Sequence, residues 1–330
     1  METKKQFDIK EFLTDYALFI VVALMIVFTG ATRANFISLN NFSNLMANVS
    51  VRFIIALGVA GCLIIRGTDL SAGRIVGLSA LITGTLVQKP DYVSKFFPNV
   101  PDMPIFVPLL IVLAVCAFFG LINGLIIAYL HVPPFLATLG SQIMIYGINM
   151  IYSQNKPIGV FKDSFIKIGQ GRIFGFLPYL AIVATLMGLI MYVLFNKTRH
   201  GKYMYAIGGN EAAAEVSGVN VHTSKVKIYA LAGFLYGLAG YLLTAKTGSV
   251  GPGAGQGYEL EAIASATIGG VSTAGGQGTV PGILLGVFIF ELLKISLSFL
   301  GVSPDMTNVI QGIVIIIAVA LDVRKTLVKR

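Results

Sequence analysis

Charged residues are scarce in this chain. Only 12% of its 330 residues are Asp, Glu, Lys or Arg, about half the share that soluble domains carry. A soluble protein of this length needs a large polar surface, and the residues for one are missing. Cysteine is nearly absent: Cys62 and Cys116 both fall in apolar runs, without metal-site spacing. His131, His200 and His222 are scattered, and no HExxH-type spacing joins them. No GxxxxGK[ST] stretch occurs. The glycines of 269–282 do not lead into the Lys-Ser/Thr pair that holds phosphates, so no nucleotide site is expected on this chain. No nucleophile–base set is visible either, and the chain reads as non-catalytic. The N-terminal apolar run has no small-x-small cleavage site and reads as a retained first span.

What is plentiful is apolar. Hydrophobic residues make up 55% of the chain, with a mean hydropathy of +0.82. Apolar runs recur at about the 20 residues that cross some 30 Å of hydrocarbon. They do not alternate with polar residues as barrel strands would. The fold class is all-α: one polytopic membrane domain over residues 1–330. Ten spans are expected, at about 15–32, 48–65, 70–88, 105–129, 135–152, 179–195, 227–245, 259–270, 280–299 and 307–322. Pro133 and Pro134 break the chain between the fourth and fifth. The eighth is too short to cross alone, so its flanking backbone must be buried in protein or line water. Spans 2–5 and 7–10 form two sets of opposite orientation, an inverted repeat with passage between the halves. IIRGTDLSAGRIVGLSALITGTL and TIGGVSTAGGQGTVPGILLGVFIF are loosely alike.

The net charge of +9 points to orientation and not to nucleic acid. Basic residues gather in the 196–227 loop and in the C-terminal RKTLVKR. By the positive-inside tendency that loop is cytoplasmic, and ten spans place both termini on the same side.

Within 196–227, Gly208 to Gly218 has the form of a short helix. Asn210 suits the N-cap, Glu211 the positive end of the helix dipole, and Gly218 the closing left-handed turn. Ala212, Ala213 and Val216 share one face. Two turns do not hold alone in water, where about 12–15 residues are marginal. The segment is either a capped surface loop or a helix completed by a partner.

Here a resemblance enters. GGNEAAAEVSGVNV, from Gly208 to Val221, resembles the coupling-loop signature of bacterial ABC-importer permeases for monosaccharides, and the chain is similar to that family from about Val51 to Leu321. The resemblance implies that Gly209, Asn210, Glu211, Ala212, Ala213, Val216, Ser217 and Gly218 dock on a cytoplasmic ATP-binding subunit. It implies ATP-Mg on that subunit and no cofactor here. It also implies a second permease copy across one channel, an extracytoplasmic sugar-binding protein, and residence in the bacterial cytoplasmic membrane.

A second stretch, Arg66-Gly-Thr-Asp-Leu-Ser-Ala-Gly-Arg74, lies between spans 2 and 3. Asp69 or Ser71 suits the cap of the following helix. Arg66 and Arg74 flank Asp69, and charges inside a membrane need partners or water. It reads either as a break shaping the pathway or its inner gate, or as a capped turn with anchoring arginines. Its Thr68 and Arg74 resemble galactoside-type permeases more than ribose-type ones, so galactose or methyl galactoside is the expected cargo, with glucose, ribose, other pentoses and nucleosides as alternatives. Asn123, Gln142, Tyr146 and Asn149 lie within apolar spans and either face a sugar pathway or bond other helices. Glu259 and Glu261 read as dipole partners opening span 8, and Glu291 and Lys294 as a pair on span 9. An ion-coupled transporter would need a midplane acid. The acids cluster near span ends, Asp69 excepted, so that reading ranks lower.

Overall fold

The computed structural model describes the backbone of residues 9–328; the side chains of 1–19, 21 and 321–330 lie outside the described residues, and with them the basic groups expected at both termini. The chain runs through α1 (Ile9–Thr32), α2 (Leu39–Ile64), α3 (Ala72–Leu86), α4 (Phe106–Tyr129), α5 (Pro134–Ser153), α6 (Asp163–Gln170) and α7 (Tyr179–Lys197). It continues through α8 (Arg199–Gly209), α9 (Glu211–Val216), α10 (Val221–Thr247), α11 (Tyr258–Ile268), α12 (Val280–Phe299) and α13 (Pro304–Val328). Four two-residue strands, β1 (Ile158–Gly159), β2 (Arg172–Ile173), β3 (Leu177–Pro178) and β4 (Ser249–Val250), pair as β1–β4 and β2–β3.

Ten of these helices occupy the ten expected apolar segments. Six are long and apolar enough to cross a membrane: α2, α4, α5, α7, α10 and α12. The others carry shorter apolar helices, Val22–Thr32 in α1, Ala72–Leu86 for α3 and Pro304–Ala320 in α13, while α11 has only 11 residues.

Burial sets the layers. In α2 and α10, 83% of the apolar window is buried within the protein, against 28–33% in α4, α5 and α7. The first two form the centre, and the other three line the periphery with outward faces such as Leu110, Phe118 and Leu125 on α4 and Leu186, Leu189 and Val193 on α7. Water would oppose such faces and hydrocarbon does not. The tightest crossing joins α4 to α10. A Cβ on Gly120 would overlap the Tyr229 carbonyl, and one on Gly233 would overlap that of Cys116. Small residues let these two backbones nest, a common basis of helix association where the solvent is itself apolar.

The inverted repeat shows in the packing. α3 lies against α10, α4 and α5; α11 lies against α2, α12 and α13. The two short helices therefore correspond, each preceded by an irregular segment. This corrects the likeness drawn from sequence, which set the break before α3 beside the Gly-rich turn before α12. Both stretches are glycine-rich turns leading into apolar helices, and composition alone cannot tell them apart.

α7 separates the two ends of the bundle. One end carries α8 and α9. The other carries α6 and the strands, where the stretch between α5 and α7 is fastened down: Lys89 pairs with Asp163 at 2.9 Å, Arg172 donates to Asn40 and Asn44, and Lys162 bonds Asp102. That bond to Lys162 holds the Asp102 carboxyl below its ordinary range.

Candidate functional site: a broken-helix junction

The 196–227 stretch is not an open loop. α7 extends into it as far as Lys197, α10 begins at Val221, and α8 and α9 fill what lies between. Thr198 caps α8 by accepting from Gly201 N, and Asn210 caps α9 by accepting from Ala213 N at 3.0 Å. Gly218, at φ +85°, closes the second helix. Glu211 pairs with Lys225 at 2.7 Å, and with the Glu211 side chain half exposed the pair contributes under about 1 kcal/mol. Of the α9 side chains only Ala214 is buried. Ala212 and Ala213 are exposed, and Val216 is 90% exposed. Among the described residues nothing covers the face that the sequence pattern marked out. Burial, with the Lys227 charge nearby, holds the His200 imidazole below its ordinary value.

α8 ends against the break that follows α2. Arg66, in the left-handed region at φ +60°, donates from Nε to the Gly208 carbonyl at 2.8 Å and from Nη2 to that of Gly209 at 2.7 Å. These are the last carbonyls of α8, where a cation is favoured by unpaired acceptors and helix dipole alike. A Cβ on Gly208 would overlap the Ile64 carbonyl, and that carbonyl accepts from Gly276 N at 2.8 Å. The end of α2, the end of α8 and the turn before α12 therefore meet at one point.

The expected pairing of Asp69 with Arg66 or Arg74 does not form. Arg66 is spent on α8. Asp69, fully buried, accepts on Oδ1 from Ser71 N at 3.0 Å and from the Ser71 hydroxyl. Neither residue bonds as a side-chain cap to α3, because Ser71 at the N-cap uses its hydroxyl on Asp69. Ser71 Oγ in turn accepts from Asn123 Nδ2 at 2.9 Å, and Asn123 Oδ1 accepts from Ser141. The Thr68 carbonyl accepts from Thr138 Oγ1 at 3.1 Å. A buried polar chain thus ties the break to α4 and α5. Short local bonds outcompete a distant ion pair here, since each buried group must find a partner within reach. Replacing Asp69 by alanine leaves two buried donors on Ser71 unmatched, a cost of about 1–3 kcal/mol each. Asp69→Ala is expected to reduce the yield of folded protein in membranes. Asp69→Asn, which keeps an acceptor oxygen, is expected to recover most of it; equal, undiminished yields would remove Asp69 from the structural role.

Beyond the break, the first turns of α3 and α11 lie together against the middle of α5. Arg74 sits with its guanidinium carbon 4.5 Å from the Tyr146 ring centre, and Asn149 Nδ2 donates to the Arg74 carbonyl. Glu259 is 4% exposed and accepts from Gln142 at 3.2 Å. It stands in the first turn of α11, as expected of a dipole partner, and is at the same time an interior residue of this junction. Glu261, in the same first turn, also has partners on other helices. It bonds Arg52 at 2.7 Å and Lys294 at 3.1 Å, and Glu291 lies 3.5 Å from Arg52 and 3.6 Å from Lys294. The pair expected on α12 is half of a balanced quartet joining α2, α11 and α12. Arg52 went unnoticed, although a lone cation inside an apolar span signals a buried partner. His131 and His222 approach to 5.6 Å between rings, yet no group of metal-holding residues exists among the described residues.

The architecture is that of a membrane transport protein: peripheral helices with apolar faces, a buried centre, and two short helices set between irregular segments at depth. The chain belongs to the family described as branched-chain amino acid transport system / permease component, whose sequence profile matches residues 41–319. It is 45% identical to the galactose/methyl galactoside import permease protein MglC of Haemophilus influenzae, over 98% of this chain and 97% of that one. It is 47% identical to MglC of Escherichia coli K12, over 93% and 92%. The ribose import permease protein RbsC of Haemophilus influenzae is 35% identical, over 96% and 95%. No solved structure matches the chain. It is a multi-pass transport subunit of the inner membrane.

Proposed function

We propose that the chain forms the translocation pathway of an ATP-driven importer for galactose or methyl galactoside. The observation that carries this reading is the identity of 45–47% to three permeases named for that cargo, with a fourth at 36%, against 32–38% to those named for ribose. Two copies would pair across one channel. The end carrying α8 and α9 faces the cytoplasm, with both termini, and an ATP-binding subunit seats on Gly209 to Gly218. ATP-Mg is bound and hydrolysed there. A binding protein delivers the sugar at the opposite end.

The junction at Arg66 supports a mechanism of alternating access. Movement of α9 is carried through the last turn of α8 to the end of α2 and the turn before α12, and so to the irregular segments beside α3 and α11. Weak affinity for sugar in the pathway suits release on either side. In vesicles, uptake of methyl galactoside is expected to require ATP, the ATP-binding subunit and the binding protein together. Uptake by this chain alone under an ion gradient would instead establish an ion-coupled carrier.

A further inference from the structure

We propose that Arg74, Gln142, Tyr146, Asn149 and Glu259 form a contact site for a neutral sugar at the middle of the pathway; this rests on the importer reading and specifies where in the chain cargo is met. The starting point is a set of unmatched atoms. Arg74 is 8% exposed, and its Nε and Nη1 have no partner. Glu259 is 4% exposed and uses one oxygen on Gln142, while Oε2 has none. Asn149 is fully buried and donates to Arg74 O, yet its Oδ1 accepts nothing. Buried polar groups are almost always satisfied, and those left over call for a ligand or water.

The three residues stand on three elements that converge, α3, α5 and α11. Glu259 Oε2 occupies the space a Cβ of Gly73 would need, and the backbone of Gly255 presses on Gly73 as well. The first turns of α3 and α11 are thereby held together, both facing Gln142, Tyr146 and Asn149 on α5. Gln142 and Tyr146 fall near the middle of that 20-residue helix, hence near mid-membrane. Tyr146 is 40% exposed. A cation with unpartnered donors at this depth is tolerated only beside water or a counter-charge. Glu259 supplies the counter-charge, and with Tyr146 exposed beside Arg74 the site assigns this face of α5 to an aqueous space and not to lipid.

The donor set fixes the ligand class. Each sugar hydroxyl both donates and accepts. Arg74 supplies two free donors; Glu259 and Asn149 supply two free acceptors. The Tyr146 ring offers an apolar face for the C–H side of a pyranose. A phosphorylated or carboxylated ligand would meet the Glu259 carboxylate, and a simple cation would meet Arg74. A neutral polyol satisfies both.

The test uses the full chain in lipid vesicles with Tyr146→Cys and a water-soluble maleimide. Cys62 and Cys116 are buried and serve as silent controls. Labelling at position 146 is expected, and methyl galactoside is expected to slow it several-fold while leucine at equal concentration does not. In the assembled importer, Glu259→Gln and Arg74→Gln are expected to cut uptake severalfold while the ATP-binding subunit still co-purifies. No labelling, or labelling that sugar leaves unchanged or that leucine slows equally, overturns the site. Methyl galactoside uptake by the unaltered importer decides the parent reading separately, whatever position 146 reports.

Discussion

Ala213→Arg is expected to remove the ATP-binding subunit from the purified complex and to reduce sugar uptake to background. The residue is exposed on a helix whose outward face, Ala212, Ala213 and Val216, is covered by none of the described residues. Its backbone N–H takes the Asn210 cap and its carbonyl accepts from Ser217. The substitution leaves both bonds in place, so insertion and folding should be unchanged. What changes is the surface: a long cation replaces a methyl group where a partner must approach closely. A mismatched charge buried at an interface costs several kcal/mol, enough for a loss of about a thousandfold in affinity. Glu215→Gln, also exposed, is expected to do far less. Retained co-purification and uptake for Ala213→Arg would show that α9 is a capped surface turn.

Arg66→Ala is expected to give the complementary failure. The ATP-binding subunit should still co-purify and hydrolyse ATP, because the α9 face is untouched. Uptake should fall by tenfold or more, since the side chain makes two charge-assisted bonds to the end of α8 at 2.8 and 2.7 Å, each worth about 1.5–3 kcal/mol. Arg66→Lys should be intermediate, because an ammonium replaces the guanidinium fork with a point charge. Wild-type uptake per ATP in Arg66→Ala would mean that force reaches the pathway by another route.

Much of this was legible in the sequence. Hydropathy placed the six long apolar helices and the three shorter ones, because a lipid solvent leaves few alternatives to a continuous helix. The cap at Asn210 and the stop at Gly218 were legible because they are local, decided within one turn. Long-range pairing was not. Arg66 stands three residues from Asp69 yet bonds carbonyls 142 and 143 residues away. Glu259 reads from the sequence as a terminal acid and is one, but its burial comes from the convergence of α3, α5 and α11. Sequence spacing carries no record of which helices cross, and that crossing decides every partner in the junction.

The α4–α10 crossing limits how any switch here can work. With Gly120 under the Tyr229 carbonyl and Gly233 under that of Cys116, sliding one helix by a single residue would drive a side chain into a peptide bond. These two helices must travel as one stiff beam, and displacement has to be absorbed by the irregular segments at 65–71, 251–257 and 269–279. The protein is in effect a girder with three joints, and its stroke is set by how far those short segments can bend.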